Sequence, residues 1–317
     1  MSRATSFFRR AATGATGLAL VLVVSFGAAS CRTGDLLGNA ARNSFGGRGG
    51  ASDVVAAAVS SIPDFFQQMN TRLSPEQEYY LGRGVAAQAI ATYGLDPDEG
   101  RQAYVRRIGA SLVELSPRIR ATYGGYHFAV LAGAEANGVS GPGGFVFVTR
   151  GALDLARTED EVAGILAHEI AHISLKHGEA IIRATPDWSA GMGALGRIAG
   201  AATSRGQYQG QLSRVFSESV VNFTKSLRET GYGRELEFKA DAEGTYILYD
   251  AGYDAQSISS YLATLPGRAP TRWSAHPESA ERSAALAPLV ATWGGGFDGG
   301  VGAAARAGRF ASAFGRR

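Results

Sequence analysis

A single cysteine, no long apolar run and no surplus of either charge set the first limits on this 317-residue chain. Cys31 has no second cysteine with which to close an internal disulfide. The stretch from Leu18 to Ala29 is too short for a comfortable bilayer crossing. Residues Ser189 to Thr203, rich in Gly and Ala with Arg197 in the middle, are too weakly apolar for one. The formal net charge is +3, but Arg3, Arg9 and Arg10 precede the Leu18–Ala29 run in a segment without acidic residues. Beyond that segment 28 basic groups face 28 acidic ones. Such a balance excludes nucleic acid as a partner, because phosphate binding requires a concentrated basic surface. No internal repeat is present.

What is there is His168-Glu169-Ile170-Ala171-His172. On a helix, residues four apart share a face, so His168 and His172 can offer two imidazoles to one ion. Glu169 is one step round and can reach a water at the ion's open position. A catalytic zinc takes three protein ligands and a water whose pKa it lowers towards neutrality. The pattern therefore supplies two ligands and a general base and requires a third ligand elsewhere. The local sequence predicts a helix: Thr158 with Glu161 makes a capping box, and Glu159 and Asp160 put negative charge at the positive end. Val162, Ile165, Leu166, Ile170 and Ile173 recur at helical spacing, and Gly178 gives a stop after His177.

A third ligand is available 65 residues beyond His172, in Arg234-Glu235-Leu236-Glu237-Phe238-Lys239-Ala240-Asp241. Glu237 and Asp241 are again four apart, and a carboxylate ligand with a second carboxylate one turn on suits a metal site whose histidines need outer acceptors. Glu235 and Glu243 are equal rivals on spacing alone, and a solvated charged face is the plain alternative.

The order His168-Glu169-x-x-His172, then Glu237-x-x-Ala240-Asp241, resembles the HtpX-like and BepA-like zinc endopeptidases of peptidase family M48. Asn137-Gly138-Val139-Ser140-Gly141-Pro142-Gly143-Gly144 with the strand after it is similar to a second family segment, with Gly138 where Ala is usual. Thr158 to Ala163 resembles the acidic lead-in to the active helix, and His276-Pro277 with Arg282 resembles a late His-Pro element. The likeness covers roughly residues 74–290 and lacks the membrane helices and helical-repeat domain of other branches, so it points to the compact envelope lipoproteins.

The resemblance implies an α+β, mostly helical, zincin-like domain with a small β-sheet beside the metal-binding helix, and one Zn2+ per chain. His168, His172 and Glu237 would hold the ion, with Asp241 behind them and Glu169 activating the water. His276 would approach the zinc, as an oxyanion donor or a latency ligand, with Arg282 holding it. It further implies that an edge strand binds substrate in extended form. Phe145, Val146 and Phe147, on a predicted strand Phe145–Thr149, are placed there, with an ordinary paired core strand as the equal alternative. A second strand is predicted over Tyr126–Leu131, where His127 reads as structural.

The outer segments complete the expectation. Arginines ahead of a short apolar run read as an export signal over residues 1–30. Cys31, directly after Ala28-Ala29-Ser30, resembles a lipidation site, and Arg32 behind it favours the outer membrane. Residues 31–73 read as a tether with a leading helix from Asp53 to Asn70, residues 74–292 as the peptidase domain, and residues 293–317 as a disordered Gly/Ala-rich tail. Helices are predicted from Ser74 to Tyr93, Asp98 to Leu115 and Pro277 to Leu289. The expected function is an envelope endopeptidase, facing the periplasm, acting on misfolded or stalled exported proteins. The rivals are a chaperone for unfolded envelope proteins that cuts little, and a hydrolase of cell-wall amides.

Overall fold

The computed structural model describes residues 73–184, 220–225, 227, 231–265, 279–293 and 302–315. The signal segment, Cys31, the tether with its leading helix, the Ser189–Thr203 stretch and His276-Pro277 lie outside the described residues.

Ser74 starts the fold as an N-cap. Its hydroxyl accepts from the Gln77 amide at 3.2 Å, and the Gln77 side chain accepts from the Ser74 amide at 2.8 Å. With Pro at its first position, helix α1 (Pro75–Tyr93) follows from this box. Asp98 likewise accepts from the Arg101 amide at 3.0 Å and opens α2 (Glu99–Leu115).

Three short strands come next: β1 (His127–Leu131), β2 (Gly138–Gly141) and β3 (Phe145–Thr149). Their order is β1-β3-β2, with β1 parallel and β2 antiparallel to β3. The strand carrying Phe145, Val146 and Phe147 is therefore central, paired on both sides and buried throughout. It presents no free edge, so the expectation that these three residues bind substrate is corrected. A continuous apolar run is what a strand covered on both faces requires. The sheet's two edges belong to β1, whose Val130 main chain is bonded to the Asp96 amide and the Gln102 side chain, and to β2. His127 is packed on the Phe145 ring at 4.8 Å, and burial lowers its pKa.

After the one-and-a-half-turn α3 (Arg150–Leu155), Thr158 caps α4 (Glu159–Ser174), accepting from the Glu161 amide at 3.1 Å. The Glu161 carboxylate does not return to Thr158. It reaches one residue further back and accepts from the Arg157 amide at 2.6 Å, so only half of the expected box forms. Val162, Leu166 and Ile170 are fully buried, and α4 is enclosed by α2, β2 and β3 on the sheet side and by later helices on the other. It ends earlier than Gly178. Leu175 and Lys176 close the helix on the carbonyls of Ala171 and Ile173, Lys176 adopts φ 58°, and α5 (His177–Ala184) starts at once with Gly178 inside it. A lysine in the left-handed region is strained. Its ammonium is held by Glu78 at 2.8 Å and Glu179 at 3.5 Å.

Helix α6 (Arg234–Asp250) crosses α4 closely. A Cβ at Gly244 would lie 3.1 Å from the His168 nitrogen, so the missing side chain lets the two backbones meet at the histidine turn. Helices α7 (Ser257–Leu262) and α8 (Ser279–Ala291) cover the same side.

The C-terminal stretch read as disordered forms α9 (Ala303–Phe314). Its Phe310 is buried, Phe314 meets Tyr104 edge to face at 5.6 Å, and Arg309 donates to the buried Glu159 carboxylate from Nε at 3.0 Å. Arg306 Nε donates to Asp160 at 3.1 Å. The acidic first turn of α4 is thus paired with arginines of the last helix. Composition alone does not reveal such support, because a helix this short is stabilised mainly by packing.

Candidate metal centre

His168 and His172 sit one turn apart on α4, and Glu237 faces them from the first turn of α6. All three are buried. His168 Nε2 lies 3.1 Å from His172 Nε2 and 3.4 Å from a Glu237 oxygen, and the other Glu237 oxygen is 3.7 Å from His172 Nε2. One ligand atom from each residue falls within 4.8 Å of the others. At a zinc–nitrogen distance near 2.0–2.1 Å, the edge of a coordination tetrahedron is about 3.3 Å. Both distances from His168 Nε2, to His172 Nε2 and to the nearer Glu237 oxygen, are close to that edge, and two imidazoles with a carboxylate are donor types zinc accepts.

Outer groups aim the rings. Asp241, one turn beyond Glu237, accepts from His168 Nδ1 at 2.9 Å, which directs Nε2 at the cluster. Arg282 of α8 donates to both Asp241 oxygens, from Nε at 2.7 Å and Nη2 at 2.6 Å. Its Nη1 lies 3.8 Å from Glu237. Burial works against the His168 imidazolium, yet hydrogen bonds to Asp241 and Glu237 hold its pKa up at about 9. Asp241 is also opposed by burial, and Arg282 and His168 together keep it below its ordinary range.

His172 is gripped differently. Its Nδ1 meets Nδ1 of His177 at 2.8 Å. Burial depresses His177 to about 4, so its imidazole stays neutral and can accept the His172 Nδ1 proton. The tight turn at Lys176 is what folds His177 back onto His172. The flat face of His172 carries the Tyr232 ring, with centroids 3.8 Å apart and planes 19° apart. The Tyr232 hydroxyl donates to the Ser140 carbonyl of β2 at 3.0 Å. Burial, then the charges of Glu169 and Glu237, raise its pKa, so it remains a phenol.

Glu169 is buried and lines a solvent-open cleft with Ala89, Tyr93, Gly138, Val139, Leu227 and Tyr232. A Cβ at Gly138 would stand 2.1 Å from a Glu169 carboxylate oxygen. The glycine at 138 therefore leaves room for that carboxylate where it stands.

The structure thus brings together His168, His172, Glu237, Asp241, Arg282 and the neighbouring Glu169. Glu235 is not among them: it is exposed and bonded to Lys239 at 2.7 Å. Glu243 faces Arg118 at 3.9 Å. Arg282 engages Asp241, while His276 is outside the described residues. Sequence reasoning missed His177 and Tyr232. Neither signals a role by spacing, because His177 reaches His172 across the turn at Lys176 and Tyr232 reaches it from a distant segment ahead of α6.

Comparison with known proteins agrees with this geometry. The profile of Peptidase family M48 matches residues 99–290. The chain is 24% identical over 237 residues to the Escherichia coli beta-barrel assembly-enhancing protease, covering 72% of this chain and 45% of that protein. It is 26% identical over 217 residues to the E. coli metalloprotease YcaL, covering 65% of this chain and 80% of the relative. Over 147 residues it is 30% identical to the mitochondrial metalloendopeptidase OMA1 of Schizosaccharomyces pombe, 44% of this chain and 40% of the relative. The chain therefore spans less than half the length of the beta-barrel assembly-enhancing protease.

Proposed function

From a chain that belongs to peptidase family M48, we infer a zinc-dependent endopeptidase of the bacterial envelope. The observation that carries this reading is the convergence of His168 Nε2, His172 Nε2 and a Glu237 oxygen within 4.8 Å, beside a cleft lined by Glu169. When bound there, zinc lowers the pKa of water and polarises a carbonyl. Glu169 takes the proton of the attacking water and passes it to the leaving amine. Asp241 and Arg282 fix the His168 ring, and His177 fixes His172. The free edge of β2 offers main-chain groups to an extended peptide, giving affinity with little demand on sequence. His276 is the further donor to the oxyanion.

The proposed substrates are misfolded or stalled exported proteins. The support is an export-signal pattern ahead of Cys31 and the names of the relatives, one of which enhances β-barrel assembly. Lipidated Cys31 would hold the domain at the outer membrane, facing the periplasm. No helix among the described residues is long and apolar enough to cross a membrane.

The test is zinc content together with casein cleavage by wild type and Glu169→Gln. Stoichiometric zinc in both, with cleavage in wild type alone, is expected. Folded protein without tightly held zinc overturns the reading. Loss of an envelope phenotype in Glu169→Gln supports proteolysis, and its persistence supports a chaperone.

A further inference from the structure

The free edge of β2 is already occupied at one point. Thr149 N donates to Asn137 O at 2.9 Å, and the register continues through Val139↔Phe147 and Gly141↔Phe145. Antiparallel pairs alternate between bonded and non-bonded. Residues 137, 139 and 141 therefore bond across to β3. Gly138 and Ser140 turn their amides and carbonyls to the open side. The Ser140 carbonyl on that side accepts from the Tyr232 hydroxyl at 3.0 Å, and the Ser140 hydroxyl lies 3.1 Å from the same oxygen.

The same tyrosine covers the face of His172. It stands between two glycines in the left-handed region, Gly231 at φ 62° and Gly233 at φ 83°. Such backbone rotates freely where other residues would be strained. Among the described residues, nothing lies within 4 Å of a Cβ placed at Gly233, so none of them packs against that point of the backbone.

We propose that Tyr232 is a latch that competes with substrate, its hydroxyl filling the Ser140 acceptor that an extended polypeptide must take. A peptide pairing along β2 at Gly138 and Ser140 displaces the hydroxyl, and the ring swings away about Gly231 and Gly233. Engagement of polypeptide and exposure of the His172 face become one event. This proposal rests on the peptidase reading and on β2 as its binding edge.

The experiment compares Glu169→Gln with Glu169→Gln/Tyr232→Phe, both full chain and zinc-loaded, binding fluorescein-labelled casein by fluorescence anisotropy. Zinc content and Tm are read alongside. The phenylalanine keeps the ring stack and removes only the competing hydroxyl, so casein is expected to bind about three- to tenfold tighter, the ordinary worth of one hydrogen bond. In the active background the single Tyr232→Phe variant should lower KM by a similar factor and leave kcat nearly unchanged. Equal or weaker binding by the phenylalanine form overturns the latch. So does a fall in kcat at constant KM, which would make the hydroxyl a group acting on the reaction itself. Cleavage by wild type with equal affinity in both forms defeats the latch alone. If neither form binds casein and wild type does not cut it, the peptidase reading falls with it.

Discussion

Arg282 holds both oxygens of Asp241, and Asp241 in turn holds Nδ1 of His168, so a helix from the late part of the chain orients a ring on α4. All three are buried. A buried ion pair contributes little by itself, but removing one partner strands the other charge at a cost of about 3–5 kcal/mol. Arg282→Ala is therefore expected to lower Tm sharply. Asp241→Asn keeps the shape while weakening the pull on the His168 proton. It should weaken zinc binding about 10–100-fold, with a smaller change in Tm. Chelator competition measures the first effect and thermal melting the second. Zinc affinity unchanged in Asp241→Asn would remove Asp241 from the site.

His177 gives a second and independent handle. It meets the His172 ring at 2.8 Å and contributes no atom to the donor cluster formed by His168, His172 and Glu237. His177→Ala is expected to weaken zinc binding by about 10–100-fold, the usual effect of losing an outer partner. His177→Asn, whose amide oxygen can still accept, should recover part of that loss. Enzyme saturated with zinc should turn over casein at nearly the wild-type rate in both. A large fall in turnover at full zinc loading would place His177 in the reaction rather than behind the ligand.

The sequence made the metal helix legible because its signals are local: a cap at Thr158, an apolar stripe, and two histidines one turn apart. Glu237 and Asp241 were legible as a pair, although Glu235 and Glu243 could be set aside only once their side chains were seen to point elsewhere. The β2 edge strand was not legible. Gly138–Gly141 has no apolar run to announce a strand, while the strongly apolar Phe145–Thr149 is apolar because it is central. Helix α9 was hidden for a related reason, since its stability comes from contacts with distant residues. Phe310→Ala, which empties a buried site between α9 and the core, should cost about 3–5 kcal/mol. Zinc content and casein turnover below the lowered Tm should be unchanged. Loss of zinc in the folded variant would show that α9 also shapes the centre.

The last prediction concerns pH and follows from His168. Its pKa is about 9 in the folded, metal-free chain against an ordinary 6.5, because Asp241 and Glu237 outweigh the cost of burial. A group whose folded pKa is raised binds its proton more tightly when folded. The resulting stability is fully present below about 6.5 and is lost as pH rises through about 9. Asp241 has the opposite sign: its lowered pKa contributes stability above 3.8 that disappears as pH falls through the folded value. Metal-free protein should therefore melt highest in mildly acidic to neutral buffer and lose Tm towards pH 9. Zinc must take the place of the Nε2 proton, since a ligating histidine is neutral. Zinc affinity should consequently rise about tenfold per pH unit up to about pH 9, one proton being released per ion. Chelator competition at several pH values reads that slope directly, after correction for the chelator's own protonation. In Asp241→Asn, which removes the carboxylate that does most to favour the His168 imidazolium, the rise should level off at lower pH. A slope that is flat in wild type between pH 7 and 9 would mean that His168 carries no proton for the ion to displace.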